Sequence, residues 1–300
     1  MKRYMILTIC FFILIFNINA HAKLKSHNVT VGMYNTYFSK DGNLASPTPD
    51  LKEVWQGVED AEYEACNMTM HYWPRPKDLP KVEFGKNPYA QWWIAYMEEA
   101  FNLTNQDGEV RLKVIVGPLY SYYRANRAYA FNQFIRHLCE WEKDSIYAGT
   151  LGGWYLSEEP MGSSHNFDTG IHSEMVQKIR EIEKSTGMEP HKMYIDVSIG
   201  GKYYDKRSLA SFTRPADVVM ISSNTFLWST SGKQPVRKPN WDRIHWSTKQ
   251  LRNVVYKDRD KHKLSRPEIH VVLEARDTAG YGQPTHSEMK WQIHTALSHS

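Results

Sequence analysis

The chain has 300 residues, with 37 Lys+Arg against 33 Asp+Glu and a formal net charge of +4. So even a balance, with basic residues scattered rather than clustered, excludes nucleic acid as an expected partner. The length suits one large domain with a full core, and the 10 Trp and 18 Tyr suit sugar binding, because apolar sugar faces stack on flat rings.

Lys2 and Arg3 precede an apolar run from Met5 to Phe16, too short to span a membrane comfortably. Ala20-His21-Ala22 fits a small-x-small cleavage site. The expectation is a signal peptide over 1–22, then a single mature domain over 23–300 that is secreted or periplasmic. No later stretch is apolar enough to cross a bilayer. Cys10 lies in the signal. Cys66 and Cys139 sit among apolar residues and are expected as buried free thiols, because two cysteines are no disulfide framework at this size.

Strand and helix patterns alternate along the mature chain. Residues 29–34 read as a first strand. Thr48, Pro49 and Asp50 open a helix whose apolar residues run from Leu51 to Ala65 at helical spacing. Residues 67–73 form the second strand, and Trp92, Trp93, Tyr96, Met97, Ala100 and Phe101 mark a helix face. The third strand is 112–118, followed by a helix through Phe131, Phe134, Ile135, Leu138 and Trp141. Leu151 to Ser157 is the fourth strand. Ile171, Met175, Ile179 and Ile182 form a helical stripe, with Gly187 as its C-cap. The fifth and sixth strands are 193–199 and 217–222, then a helix covers 241–255. Residues 257–263 mix charge signs and read as a solvated helix end or loop. The seventh strand is 268–274, and a last helix runs from Ser287 to Leu297.

This alternation, without a polar linker, predicts one α/β domain with a parallel sheet: a (β/α)8 TIM-type barrel. The doubly wound alternative expects a glycine-rich phosphate turn after the first strand, and residues 35–47 hold none. Only seven strands are found, and the last helix should feed an eighth. The expectation is a barrel lacking that strand through C-terminal truncation.

In a parallel barrel, chemistry sits at the carboxyl ends of strands. The fourth strand runs out into Glu158-Glu159-Pro160, and the seventh ends at Glu274, followed by Ala275, Arg276 and Asp277. Two carboxylates across a rim are the machinery of glycoside hydrolysis: one protonates the leaving oxygen, and the other attacks the sugar carbon or activates water. Tyr34, Trp73, Tyr120, Tyr122, Asn224, Phe226 and Trp228 follow strand ends and could line sugar subsites. Arg276 and Glu158 complete the expected substrate-binding set. No H-E-x-x-H or Cys/His spacing suggests a metal, no cofactor is expected, and no Gly-x-Ser-x-Gly elbow is present.

Gly153-Trp154-Tyr155-Leu156-Ser157-Glu158-Glu159-Pro160 resembles the strand-four signature of clan A glycoside hydrolases, in which a Glu before Pro is the acid/base. It is similar, more closely, to bacterial (β/α)8 domains of unknown function carrying Gly-Trp-Tyr-x-x-(Asp/Glu)-Glu-Pro. The resemblance implies Glu159 as acid/base and Glu274 as nucleophile of a retaining enzyme acting on a poly- or oligosaccharide. Clan enzymes usually have Asn before the acid/base, where it contacts the sugar 2-hydroxyl; here that residue is Glu158. A second carboxylate there would raise the proton affinity of Glu159. The alternatives are a non-catalytic carbohydrate-binding barrel, or an inactive truncated remnant.

Overall fold

The structure is a computed structural model. It describes residues 32–35, 68–71, 79–81, 83–104, 113–125, 129–158, 169–199, 206–222, 226–229, 236–239, 242–272 and 285–299. The strands described are β1 (Gly32–Asn35), β2 (Met68–His71), β3 (Lys113–Val116), β4 (Leu151–Tyr155), β5 (Lys192–Ser198), β6 (Val218–Ser222), β7 (Phe226–Ser229), β8 (Val236–Pro239) and β9 (Glu268–Val272). The helices are α1 (Pro88–Thr104), α2 (Leu119–Ala125), α3 (Tyr129–Asp144), α4 (Thr169–Thr186), α5 (Lys206–Thr213), α6 (Arg243–His262) and α7 (His286–His299). Parallel strands alternate with helices, so the fold is of the α/β, (β/α) type. The signal segment, the first predicted helix and Cys66 lie outside the described residues.

The described residues fall into two compact units. The first takes residues up to 117, with 126–153 and 182–189. Within it β1, β2 and β3 run parallel in chain order, Gly32 opposite Met68 and Met68 opposite Lys113. Asn87 and Pro88 start α1 by a simple device. The Asn87 Oδ1 accepts the orphan N–H groups of Tyr89 and Ala90 at 3.0 and 3.2 Å, while Pro88 needs no N–H partner. The Asn87 Nδ2 donates to the Ala130 carbonyl of α3, which ties the two helix starts together. Along α3, Phe131, Phe134, Ile135, Leu138 and Cys139 are buried. That is helical spacing, and each large apolar side chain so buried stabilises by about 1.5–3 kcal/mol relative to exposure.

The second unit takes 118–125, 154–181 and residues from 190 onward. Within it β5, β6 and β9 are parallel, with Tyr194, Val218 and Glu268 in register. Ile195, Val197, Val219 and Ile221 pack with Leu209 and Phe212 of α5 and with Leu251 and Val255 of α6. Ile269 and Val271 of β9 lean on the same cluster. Because strand side chains alternate, Tyr194, Asp196, Ser198, Met220, Ser222 and His270 take the opposite face. Arg214, just past α5, grips Asp258 of α6 with two hydrogen bonds of 2.9 and 3.0 Å.

All seven predicted strands are present, as β1 to β6 and β9. Three elements were not anticipated. Helices α2 and α5 are only 7 and 8 residues long, too short for a periodic stripe to stand out. The third is an antiparallel hairpin, β7 with β8, pairing Phe226 with Pro239 through Ser229 with Val236. Its Pro239 is tolerated because a two-stranded ribbon has only edge strands. The mixed-charge tract beyond Val255 is the end of α6, closed by Lys263 in the left-handed conformation (φ 55°) with its N–H on the Arg259 and Asp260 carbonyls.

Candidate functional site

In the second unit the end of β4 is held from several sides. The Leu156 N–H donates to the Tyr194 carbonyl at 2.8 Å, and the Asp196 N–H donates to the Ser157 carbonyl at 3.1 Å. Both bonds advance along β4 and β5 in the same direction. The Leu156 carbonyl accepts from the Tyr120 N–H at 2.8 Å, which fastens α2 to the strand end. The Ser157 Oγ lies 2.8 Å from the Nε2 of His172 on α4. Ser157 and His172 are 2 % and 0 % exposed. The next residue, Glu158, is half-buried. Tyr120 stacks on the His172 ring at 5.4 Å, with 17° between planes, and Phe212 meets the ring edge-on at 5.3 Å. Nearby, the Tyr123 hydroxyl donates to Glu174 Oε1 at 2.5 Å, a second tie between α2 and α4.

One strand over, Asp196 is a carboxylate at 5 % exposure. It sits between Ile195 and Val197, which face the helices, so its side chain takes the other face of β5. The Ser222 Oγ, at the end of β6, donates to its Oδ2 at 2.6 Å. A carboxylate this deep must have donors, because burying the charge without them is costly. Asp196 and Ser222 were not among the predicted site residues. The signal was present in Tyr194-Ile195-Asp196-Val197-Ser198, where polar residues alternate through an apolar strand.

The amino ends of these strands carry different chemistry. Lys192 Nζ meets Glu268 Oε1 at 2.5 Å, and His270 Nε2 stands 3.4 Å from the other oxygen. Burial works to raise the Glu268 carboxyl, but the hydrogen bond and charge of Lys192, aided by His270, hold it below the usual range. Burial also lowers the His270 imidazole against the pull of Glu268. Ion pairs at this end of a parallel sheet belong to stability rather than to chemistry.

The predicted site residues are distributed as follows. Glu158 follows β4. Tyr120 and Tyr122 lie on α2, both buried, with Tyr120 against His172. Tyr34 lies on β1, while Phe226 and Trp228 lie on β7. Glu159, Glu274, Trp73, Asn224 and Arg276 lie outside the described residues. Cys139 is a buried free thiol. Among the described residues no group of three or more His, Cys, Asp or Glu could hold a metal ion, and no helix is long and apolar enough to cross a membrane.

No family model matches the chain, and no curated protein matches it. Solved structures do resemble it loosely. A family 1 β-glucosidase from Thermotoga maritima, in complex with isofagomine lactam, superposes with a TM-score of 0.44 at 10% identity, covering 90% of this chain and 84% of that one. The same organism's β-glucosidase with galacto-hydroximolactam gives 0.45 at 11% identity, with the same coverage. Catalytic domain 2 of the Ostrinia furnacalis Group II chitinase gives 0.41 at 12% identity, covering 85% of this chain and 68% of that one. Likeness at this level decides nothing about what the chain does.

Proposed function

We propose that the chain is an exported glycoside hydrolase that cleaves a poly- or oligosaccharide with retention, Glu159 serving as acid/base and Glu274 as nucleophile. One observation carries the reading. Glu158 and Glu159 follow the end of β4, and Glu274 comes two residues after Val272 ends β9. The strands β5, β6 and β9 are parallel, and β4 bonds to β5 in the same direction. Both carboxylates therefore follow carboxyl ends of parallel strands, where α/β barrels place their chemistry.

In this mechanism Glu159 gives its proton to the glycosidic oxygen while Glu274 attacks the sugar carbon. The bond from carbon to the leaving oxygen breaks, and a glycosyl ester on Glu274 forms. Water then attacks that carbon, Glu159 takes its proton, and the free sugar leaves with its original configuration. The carboxyls must stand about 5–5.5 Å apart for this course; about 6.5–9.5 Å would direct inversion.

Glu159→Gln and Glu274→Gln are each expected to lower kcat by about 100-fold or more on a responsive glycan. Full activity in both would overturn the assignment, and an inverted first-formed anomer by NMR would overturn retention. Glu158 in the place of the usual Asn favours a second reading, a non-catalytic sugar-binding barrel. Binding of a glycan panel without turnover would decide for it. Export predicts a mature amino terminus at Lys23, readable by sequencing the secreted chain.

A further inference from the structure

We propose that His172 is a positioning residue: through Ser157 it fixes the end of β4 from which the Glu158-Glu159 pair departs. The inference rests on the glycosidase reading of Glu159. A buried Ser–His contact invites a nucleophile reading, but with both residues almost wholly buried no substrate reaches the Ser157 Oγ. What the pair can do is hold the main chain. Ser157 is bonded through its carbonyl to Asp196, and Leu156 through both its N–H and its carbonyl, to Tyr194 and Tyr120. These bonds fix position along the sheet. The Oγ to Nε2 bond of 2.8 Å adds a fixed direction, toward α4.

The His172 ring cannot yield easily. Tyr120 covers its face and Phe212 its edge, so it is blocked in two directions. Water is excluded, which strengthens the hydrogen bond. Ser157 is thereby drawn toward α4, and Glu158 follows it directly in the chain. The helix stripe of α4, buried through Ile171, Met175 and Ile179, thus holds Ser157, the residue directly before the carboxylate pair.

The test separates aim from folding. A general acid matters only when the leaving group needs a proton. Dinitrophenyl glycosides leave without one; methyl glycosides of the same sugar do not. Both are assayed across gluco, galacto, manno and N-acetylglucosamine series, with wild type, Ser157→Ala, His172→Leu, His172→Gln and Glu159→Ala. Ser157→Ala and His172→Leu are expected to lose about 10- to 100-fold in kcat/KM on the methyl glycoside but less than about threefold on the dinitrophenyl one, because kcat/KM reports the first step, before Glu159 acts as base on water. His172→Gln, which keeps a hydrogen-bonding group, is expected to recover part of the loss. Glu159→Ala should show the same split more strongly.

Equal losses on both substrates in Ser157→Ala and His172→Leu would mark a merely structural role and overturn the inference. No split in Glu159→Ala, or no wild-type cleavage of any dinitrophenyl glycoside, would strike the glycosidase reading itself, and this inference with it. Should His172→Leu not fold, Ser157→Ala decides, since it removes one oxygen and leaves the ring packing in place.

Discussion

Gly152 lies so close to Lys113 that a Cβ at position 152 would stand 2.6 Å from the Lys113 Cβ and 2.9 Å from Ile115 Cδ1. The clash falls on the neighbouring strand β3, beside the Val114 N–H to Thr150 carbonyl bond of 2.7 Å. The root of a side chain cannot swing aside as its tip can. Gly152→Ala is therefore expected to destabilise by about 1–3 kcal/mol, the scale of core overpacking. Urea denaturation measures it, and an unchanged midpoint would refute the close approach.

Glu158 concerns activity. Under the proposed mechanism, repulsion between neighbouring carboxylates makes the charge on Glu158 help Glu159 keep the proton it donates. In Glu158→Gln, Glu159 is then expected to give up its proton at lower pH. A general acid works only while protonated, so the alkaline limb of the kcat/KM profile is expected to move to lower pH. A limb that stays in place, or moves upward, counts against the pairing.

Arg214 and Asp258 give an acid-sensitive contact. The Arg214 hydrogen bonds first, then its charge and those of His262 and Lys261, hold the Asp258 carboxyl below its usual value against the opposing effect of burial. A depressed carboxyl stabilises the fold above the unfolded pKa of about 3.9, and this is lost as pH falls toward the folded value. Asp258→Asn is expected to cost about 1 kcal/mol near neutrality, allowing for solvent screening at the half-exposed Arg214. The gap from wild type should narrow in acid. A constant gap from pH 7 to 3 would deny the ion pair its role.

Cys139 and Tyr194 act at the alkaline end. Burial first, then the Glu183 charge, pushes the Cys139 thiol from 9.0 up to about 12. Burial first, then Glu268 and Asp217, pushes the Tyr194 hydroxyl from 10.0 up to about 12. Raised values stabilise fully below the unfolded pKa, and that stabilisation fades as pH climbs toward 12. In a Cys66→Ser background, Cys139 should resist a thiol reagent at pH 8 until the chain is unfolded. Rapid native labelling would show the thiol to be accessible.

Much of the fold could be read from local pattern. The stripe Ile171, Met175, Ile179 and Ile182 is the buried side of α4, and Gly187 closes the helix at φ +75° with its N–H on the Lys184 carbonyl. Two helix starts are equally legible in the local pattern. Asn87-Pro88 caps α1, and Thr285 with Glu288 makes a reciprocal capping box before α7, each backbone N–H meeting the other's side chain. The hairpin was less legible, because its four-residue strands carry little alternation and one ends in Pro239.

The linear chain carries the order of the seven parallel strands and of the longer helices between them, and it places two glutamates after the fourth strand and one at the end of the seventh. Hydrophobic period and capping chemistry act within a few residues, so they survive in a linear reading. Tertiary structure alone decided which polar groups meet. Ser157 finds His172 15 residues away, Asp196 finds Ser222 26 away, and Arg214 finds Asp258 44 away. Those pairings depend on strand register and on the depth to which each helix packs. Many Ser, His and Asp residues along the chain offer the same chemistry, and only packing selects the partners.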